Sequence, residues 1–278
     1  HDGGVNAAGV QIQRREGAVD LPYASRAQSS ATLPTTEDTV SDLSAFLPKS
    51  CWDIVASGGS AAAPKSQGAV CRKTVEGSVL FCDVAGFTPL TEALMVMGRE
   101  GSEELTRLLN EYFACMVGIV EEEGGDILRF GGDAMAVLFP GRGRAGATRA
   151  ALRMMAAMGR FAGLPTRAGA FTLSMKIGAA HGRVSLGVLS DGQGAVDFYA
   201  AGVPLDESAE AEHRAAPGQV VCHASFLRGA PLGIKGPQIG RTGFAYMASA
   251  LPERGRRPAY PAEPSEDALR SAVPAYLQ

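Results

Sequence analysis

Two acidic residues set in similar surroundings are where this chain could do chemistry. The first is Asp83, in the stretch Val79-Leu80-Phe81-Cys82-Asp83-Val84-Ala85-Gly86-Phe87-Thr88-Pro89. Residues 79–82 are apolar and β-favouring and read as a buried strand, with the acid at its end. Gly86 supplies a short turn, and Thr88-Pro89 reads as a cap and first-turn pair opening a helix. A strand-tip carboxylate ahead of a helix N-terminus can hold a cation and a phosphate together. The carboxylate takes the cation and the unpaired N–H groups take the anion. Alone, the stretch fits equally well an ordinary strand–turn–helix with a capping aspartate. The second acid, Asp133, comes fifty residues later. Apolar runs at 127–130 and 134–139 flank Gly131-Gly132, which predicts a hairpin turn presenting Asp133 at the same sheet edge as Asp83. Two carboxylates converging on one edge repel unless a cation lies between them.

Together, FCDVAGFTPLTE (81–92) and RFGGDAMAVLF (129–139) resemble the two metal motifs of the class III nucleotidyl cyclases. The likeness is greatest to the first, metal-bearing half of the soluble, bicarbonate-responsive adenylyl cyclases, and runs from about 76 to 227. It implies conversion of ATP to 3′,5′-cyclic AMP and pyrophosphate with two Mg²⁺ or Mn²⁺ ions. One ion lowers the pKa of the ribose 3′-hydroxyl and the other binds the phosphates. By the same resemblance, Asp83 and Asp133 are the catalytic ligands, joined by the backbone carbonyl of Val84. The amides of Gly86, Phe87 and Thr88 hold the β- and γ-phosphates, and Lys176, in MKIGAAHG, reaches the triphosphate. Without the resemblance, a strand lysine reads as solvent-facing.

Departures from the family pattern point further. Homodimeric members carry an asparagine and, four residues on, an arginine that stabilise the transition state. Here Asp206 and Glu210 occupy those places, and acids there repel an anionic transition state. At the purine-selecting positions stand Arg129 and Tyr199. The resemblance therefore implies a half-site, inactive alone, completed by a second cyclase half on the same polypeptide or on a separate chain. In such a half, Arg129 lines a degenerate pocket where relatives hold bicarbonate, and arginine binds a planar anion well. The family's second pocket arginine aligns with Ala209, while His213 and Arg214 lie one turn further on. Two other readings stand beside the adenylyl one: a guanylyl cyclase half, and a non-catalytic nucleotide- or anion-sensing module.

The elements that must position these residues follow from pattern. A helix after Thr88 carries Leu90, Leu94 and Met97 before Gly98 and Gly101 break it, and Ser102 is expected to cap the next. Steps of three and four from Leu105 to Val120 predict a long amphipathic helix ended by Gly124-Gly125. The arginine-bearing segment 142–158 reads as a helix with a solvated face rather than a nucleic-acid patch. Strands are predicted at 173–180 and 219–222, a hairpin at 184–201, and a helix at about 205–215. The order β-α-α-β-β-α-β-β-β-α-β suits an α+β fold, a largely antiparallel sheet with helices packed on one face. Residues 1–40 read as poorly ordered, 41–75 as lead-in helices and linker, and 76–228 as the catalytic domain. Residues 229–278 read as an extension towards a second half.

With 20% charged residues and a formal net charge of −3, nothing points to nucleic acid or an acidic membrane. No apolar run is long enough to span a bilayer, so a soluble, cytoplasmic setting is expected. Five cysteines without CxxC spacing read as reduced, packed thiols. Cys82 points away from Asp83 by strand alternation, and His181 and His223 read as structural. The chain opens on His1 with no signal-like segment, as expected of a piece of a longer protein. Leu-x-x-x-(Leu/Val)-Pro occurs at both 43–48 and 269–274, an echo that predicts a second module downstream.

Overall fold

The computed structural model describes residues 48–51, 69–190, 196–231 and 233–248. The segment 1–40, most of the lead-in, the 191–194 turn and the C-terminal helix expected near 266–272 lie outside these residues. Two strands of seventeen residues each, β1 (Ala69–Ala85) and β6 (Ser174–Ser190), form the spine, antiparallel and paired along their whole length. On one side of β1 lie β3 (Ala134–Pro140) and then β2 (Asp126–Gly131). On the far side of β6 come β8 (Val220–His223), β10 (Phe244–Met247) and β9 (Lys235–Gln238). β7 (Val196–Ala201) shares that edge of β6 with β8. Only the β6–β8 pairing is parallel among the described strands. A two-stranded ribbon, β4 (Leu164–Thr166) and β5 (Gly169–Phe171), stands apart.

Three helices bury their stripes against one face: α1 (Phe87–Met95), α2 (Arg99–Glu122) and α3 (Arg144–Ala157). Leu80, Cys82 and Val84 of β1 and Met175, Ile177 and Ala179 of β6 meet Leu108, Tyr112, Met116 and Met154 there. The α+β class and the largely antiparallel sheet match the expectation. One helix, α4 (Val203–His213), packs on the opposite face. A Cβ on Gly178 would come 1.9 Å from the Ser208 carbonyl oxygen, so glycine is what lets α4 lie against β6. A short helix, α5 (Ala224–Leu227), follows β8.

Several expected boundaries moved. Residues 174–180 and 184–189 belong to one strand, which runs on through Gly182. A Cβ there would meet Pro204 Cγ at 2.9 Å, so that glycine makes room for α4. Helix α1 begins at Phe87 with Gly86 as its N-cap, not at Thr88, and Met97 lies beyond it, 41% exposed. Ser102 sits inside α2, whose cap is Gly98. Gly101 is inside as well, where a Cβ would fall 1.8 Å from Leu94 O. The sheet also continues past 228, through β9 and β10.

Candidate active site

β1 delivers Asp83 to the site edge two residues before its end, and its side chain is 29% exposed. Asp133 occupies the loop between paired residues Gly131 and Ala134, with Gly132 at φ 70° making the reversal. Because Cys82 pairs with Met135, the next residues along the two strands bring Asp83 and the Asp133 turn together. The hairpin expectation therefore holds, and the two acids converge. Burial and the neighbouring Asp83 charge push the Asp133 carboxyl above its ordinary value, against the pull of its own backbone hydrogen bond and of Lys176.

Lys176 is the cross-strand partner of Asp83, and its Nζ lies 3.0 Å from Asp83 Oδ2. The same ammonium donates to Glu212 Oε1 on α4, and that hydrogen bond chiefly, with Asp83, raises its pKa. So Lys176 is not a solvent-facing strand lysine. Glu212, 3% exposed, is the residue that sequence reasoning missed. A signal was present: Ser208, Ala211 and Glu212 form the inward stripe of α4, and a buried acid on such a stripe needs a partner.

Gly86, Phe87 and Thr88 open α1 with no side-chain cap. First-turn N–H groups have no acceptor within the helix and attract anions. Gly86 sits at φ 96°, and a Cβ would come 2.5 Å from Thr172 O, so only glycine makes this turn. Val84 is buried on the helix-covered face. Arg129 is exposed and pairs with Ala136, which pairs with Phe81, so it shares the sheet face of Asp83. Tyr199 lies against Gly187, where a Cβ would meet its ring at 2.1 Å. By alternation along β6 that is the face opposite Lys176, so Tyr199 is not brought to this cluster. Asp206 and Glu210 are exposed on the outer side of α4, and Glu210 pairs with Arg214 at 2.7 Å.

The remaining singled-out residues are structural. The Cys82 thiol is pushed up by burial, and then by the Glu212 charge. His181 contacts Ser78 Oγ at 2.9 Å and is held below its usual value by burial and by Arg144. His223 caps α5. Cys82, Cys115 and Cys222 are free thiols. Among the described residues no helix is long and apolar enough to cross a membrane.

The sequence profile of the adenylate and guanylate cyclase catalytic domain matches residues 71–226. The chain belongs to that family. An adenylate cyclase of Anabaena cylindrica is 37% identical over 84 residues, 30% of this chain and 16% of that protein. The rat adenylate cyclase type 10 is 43% identical over 70 residues, 24% of this chain and 4% of that protein. The matched stretch is thus a small part of both relatives. Among solved structures, the adenylyl cyclase CyaB of P. aeruginosa superposes with a TM-score of 0.50 at 22% identity, covering 65% of this chain and 97% of that one. A bacterial light-regulated adenylyl cyclase gives 0.53 at 19%, covering 66% and 54%. These likenesses establish the fold.

Proposed function

We propose that this chain is the metal-bearing half of an adenylyl cyclase, converting ATP to 3′,5′-cyclic AMP and pyrophosphate when a second cyclase half completes the site. The observation that carries the reading is the convergence of Asp83 and Asp133 on one sheet edge, with the Lys176 ammonium 3.0 Å from Asp83. The donor set fits a hard divalent cation: two half-buried carboxylates already drawing positive charge. Mg²⁺ and Mn²⁺ take one or two carboxylates and complete their shell with water and substrate phosphates. Asp83 and Asp133 would hold two such ions, aided by the Val84 carbonyl. When bound, the ions would supply Lewis acidity at the 3′-hydroxyl and the α-phosphate.

The chain's own groups have separate tasks. The Gly86, Phe87 and Thr88 amides bind β- and γ-phosphate oxygens at the start of α1. Lys176 adds a cation on the same side. The 3′-hydroxyl gives its proton to water, its oxygen bonds to the α-phosphorus, the bond from the α-phosphorus to the α,β-bridging oxygen breaks, and pyrophosphate leaves. The base pocket and the transition-state Asn and Arg belong to the partner half, since Asp206 and Glu210 are exposed acids here. Arg129 offers a single cation for an anion such as bicarbonate at the interface with that half. Base choice rests with the partner, and the relatives named adenylate cyclase favour ATP over GTP.

The test is reconstitution. Residues 1–278 with Mn²⁺ and ATP should give negligible cyclic AMP, and turnover should appear on adding a complementary half that carries the Asn/Arg pair. Robust activity of the chain alone would refute the half-site reading. Product from GTP instead of ATP would transfer the assignment to a guanylyl cyclase half.

A further inference from the structure

We propose that Glu212 is a positioning residue that, through Lys176, sets how strongly the strand-tip carboxylates bind a divalent cation. This rests on the metal reading of Asp83 and Asp133 given above. The Lys176 ammonium is shared between Asp83, at 3.0 Å, and Glu212. It acts as the resident counter-charge of Asp83, so an arriving cation competes with it. Glu212 decides the outcome of that competition. Its carboxylate, 4% exposed in its side chain, holds the ammonium when Asp83 releases it. Among the described residues no other basic group reaches Glu212 as closely: His213 Nδ1 stands 3.7 Å away on a side chain that is 78% exposed.

The anchor is rigid. Gly178 brings the α4 backbone against β6 at Glu212 itself, where a Cβ would come 2.3 Å from the Glu212 nitrogen. Lys176 and Gly178 are alternate residues on the same face of β6. The strand therefore fixes the lysine's root while the helix fixes its acceptor. Metal arrival would shift one ammonium from a two-carboxylate grip to a one-carboxylate grip, drawing on α4 without moving the sheet.

The inference predicts opposite signs for two substitutions that both break the same ion pair. Lys176→Met removes the competing cation, so Mn²⁺ should bind roughly tenfold tighter, the scale of one nearby charge at intermediate dielectric. Glu212→Gln leaves the lysine only Asp83 as a charged partner, so Mn²⁺ should bind roughly tenfold weaker by the same estimate. In the double variant the Glu212→Gln effect should largely vanish, because it acts through the lysine. Free Mn²⁺ measured by electron paramagnetic resonance on the whole chain reads all three, without reference to turnover, and circular dichroism confirms folding. Should Glu212→Gln misfold, Glu212→Asp, which keeps the charge and shortens its reach to Lys176, should weaken Mn²⁺ binding in the same direction, and unchanged affinity in that variant would overturn the role of Glu212. Mn²⁺ binding lost in Asp83→Asn but unmoved by Lys176→Met would overturn this inference and keep the metal reading. No Mn²⁺ binding by the unmutated chain would overturn both. A thermal shift in Glu212→Gln with unchanged Mn²⁺ affinity would make Glu212 merely structural and also sink the inference.

Discussion

Two clusters of charge in this molecule, each built round a buried carboxylate, balance in different ways. At the end of α2, Glu123 is met by Arg149 Nε at 2.6 Å and Arg153 Nη1 at 2.7 Å, while Glu122 takes the other arm of Arg153 at 2.6 Å. Among the described residues, two acids face two guanidinium groups. Burial alone would raise the Glu123 carboxyl, but hydrogen bonds from both arginines outweigh it and hold the group below its ordinary value. At the strand tips, among the described residues, a single ammonium faces Asp83 and Glu212, with Asp133 close enough to feel Asp83. There the charges do not close, and Asp133 is pushed up rather than down. A balanced cluster ties helices together. A cluster left with surplus negative charge is a place for a cation to enter.

The contrast can be broken most directly at the open cluster. Asp83→Ala or Asp133→Ala, in a chain reconstituted with a complementary half, should reduce cyclic AMP formation by more than about a hundredfold, beyond what loss of an outer-shell partner does. The circular dichroism spectrum should stay unchanged. Near-normal rates from either variant would mean the surplus charge serves no metal.

At the closed cluster the expected effect falls on stability. Glu123→Ala leaves buried arginine charge without its carboxylate and should destabilise by about 3 kcal/mol in urea unfolding, with Mn²⁺ affinity untouched. The sign with pH follows from the depressed carboxyl: its contribution is complete above the ordinary value of 4.5 and is lost as pH falls through the lower folded value. Stability curves of the parent and of Glu123→Ala should therefore converge on acidification. Parallel curves would show that the arginines do not hold the proton off.

The smallest effect belongs to pairs that neither cluster contains. Arg107 and Glu111, 3.5 Å apart and half or more exposed, form a helix-surface pair. Arg107→Ala should change stability by no more than about 0.5 kcal/mol. A larger loss would blur the line drawn between buried and surface charge.

What the sequence could reveal depended on how local each signal was. The acids at strand tips, the Gly131-Gly132 turn and the apolar stripe of α2 are written in neighbouring residues, and each appeared as expected. Glycines misled wherever their reason lay far along the chain. The expected strand at 173–180 and hairpin at 184–201 leave Gly182 between them, and Pro204, which it accommodates, is twenty-two residues away. Gly101 read as a helix end when it admits the Leu94 carbonyl. Glu212 went unnoticed for the same cause: its partner lies across a strand-to-helix packing that only the assembled sheet creates. β9 and β10 were hidden because a Pro- and Gly-rich segment gives weak strand patterning, yet the edge offered by β8 is enough to order it.

The long pairing of β1 with β6 bears on tolerance. Seventeen residues extend about 55 Å at ordinary strand rise. Over that length each residue of one strand has a fixed opposite number on the other, with Asp83 set against Lys176. A slip of one place would seat Lys176 against Cys82 or Val84 and turn one strand's apolar side outward along its whole run. The ladder thus works like a calliper whose jaws meet at the acid: the alignment of one charge pair is guaranteed by sixteen others along the same two strands.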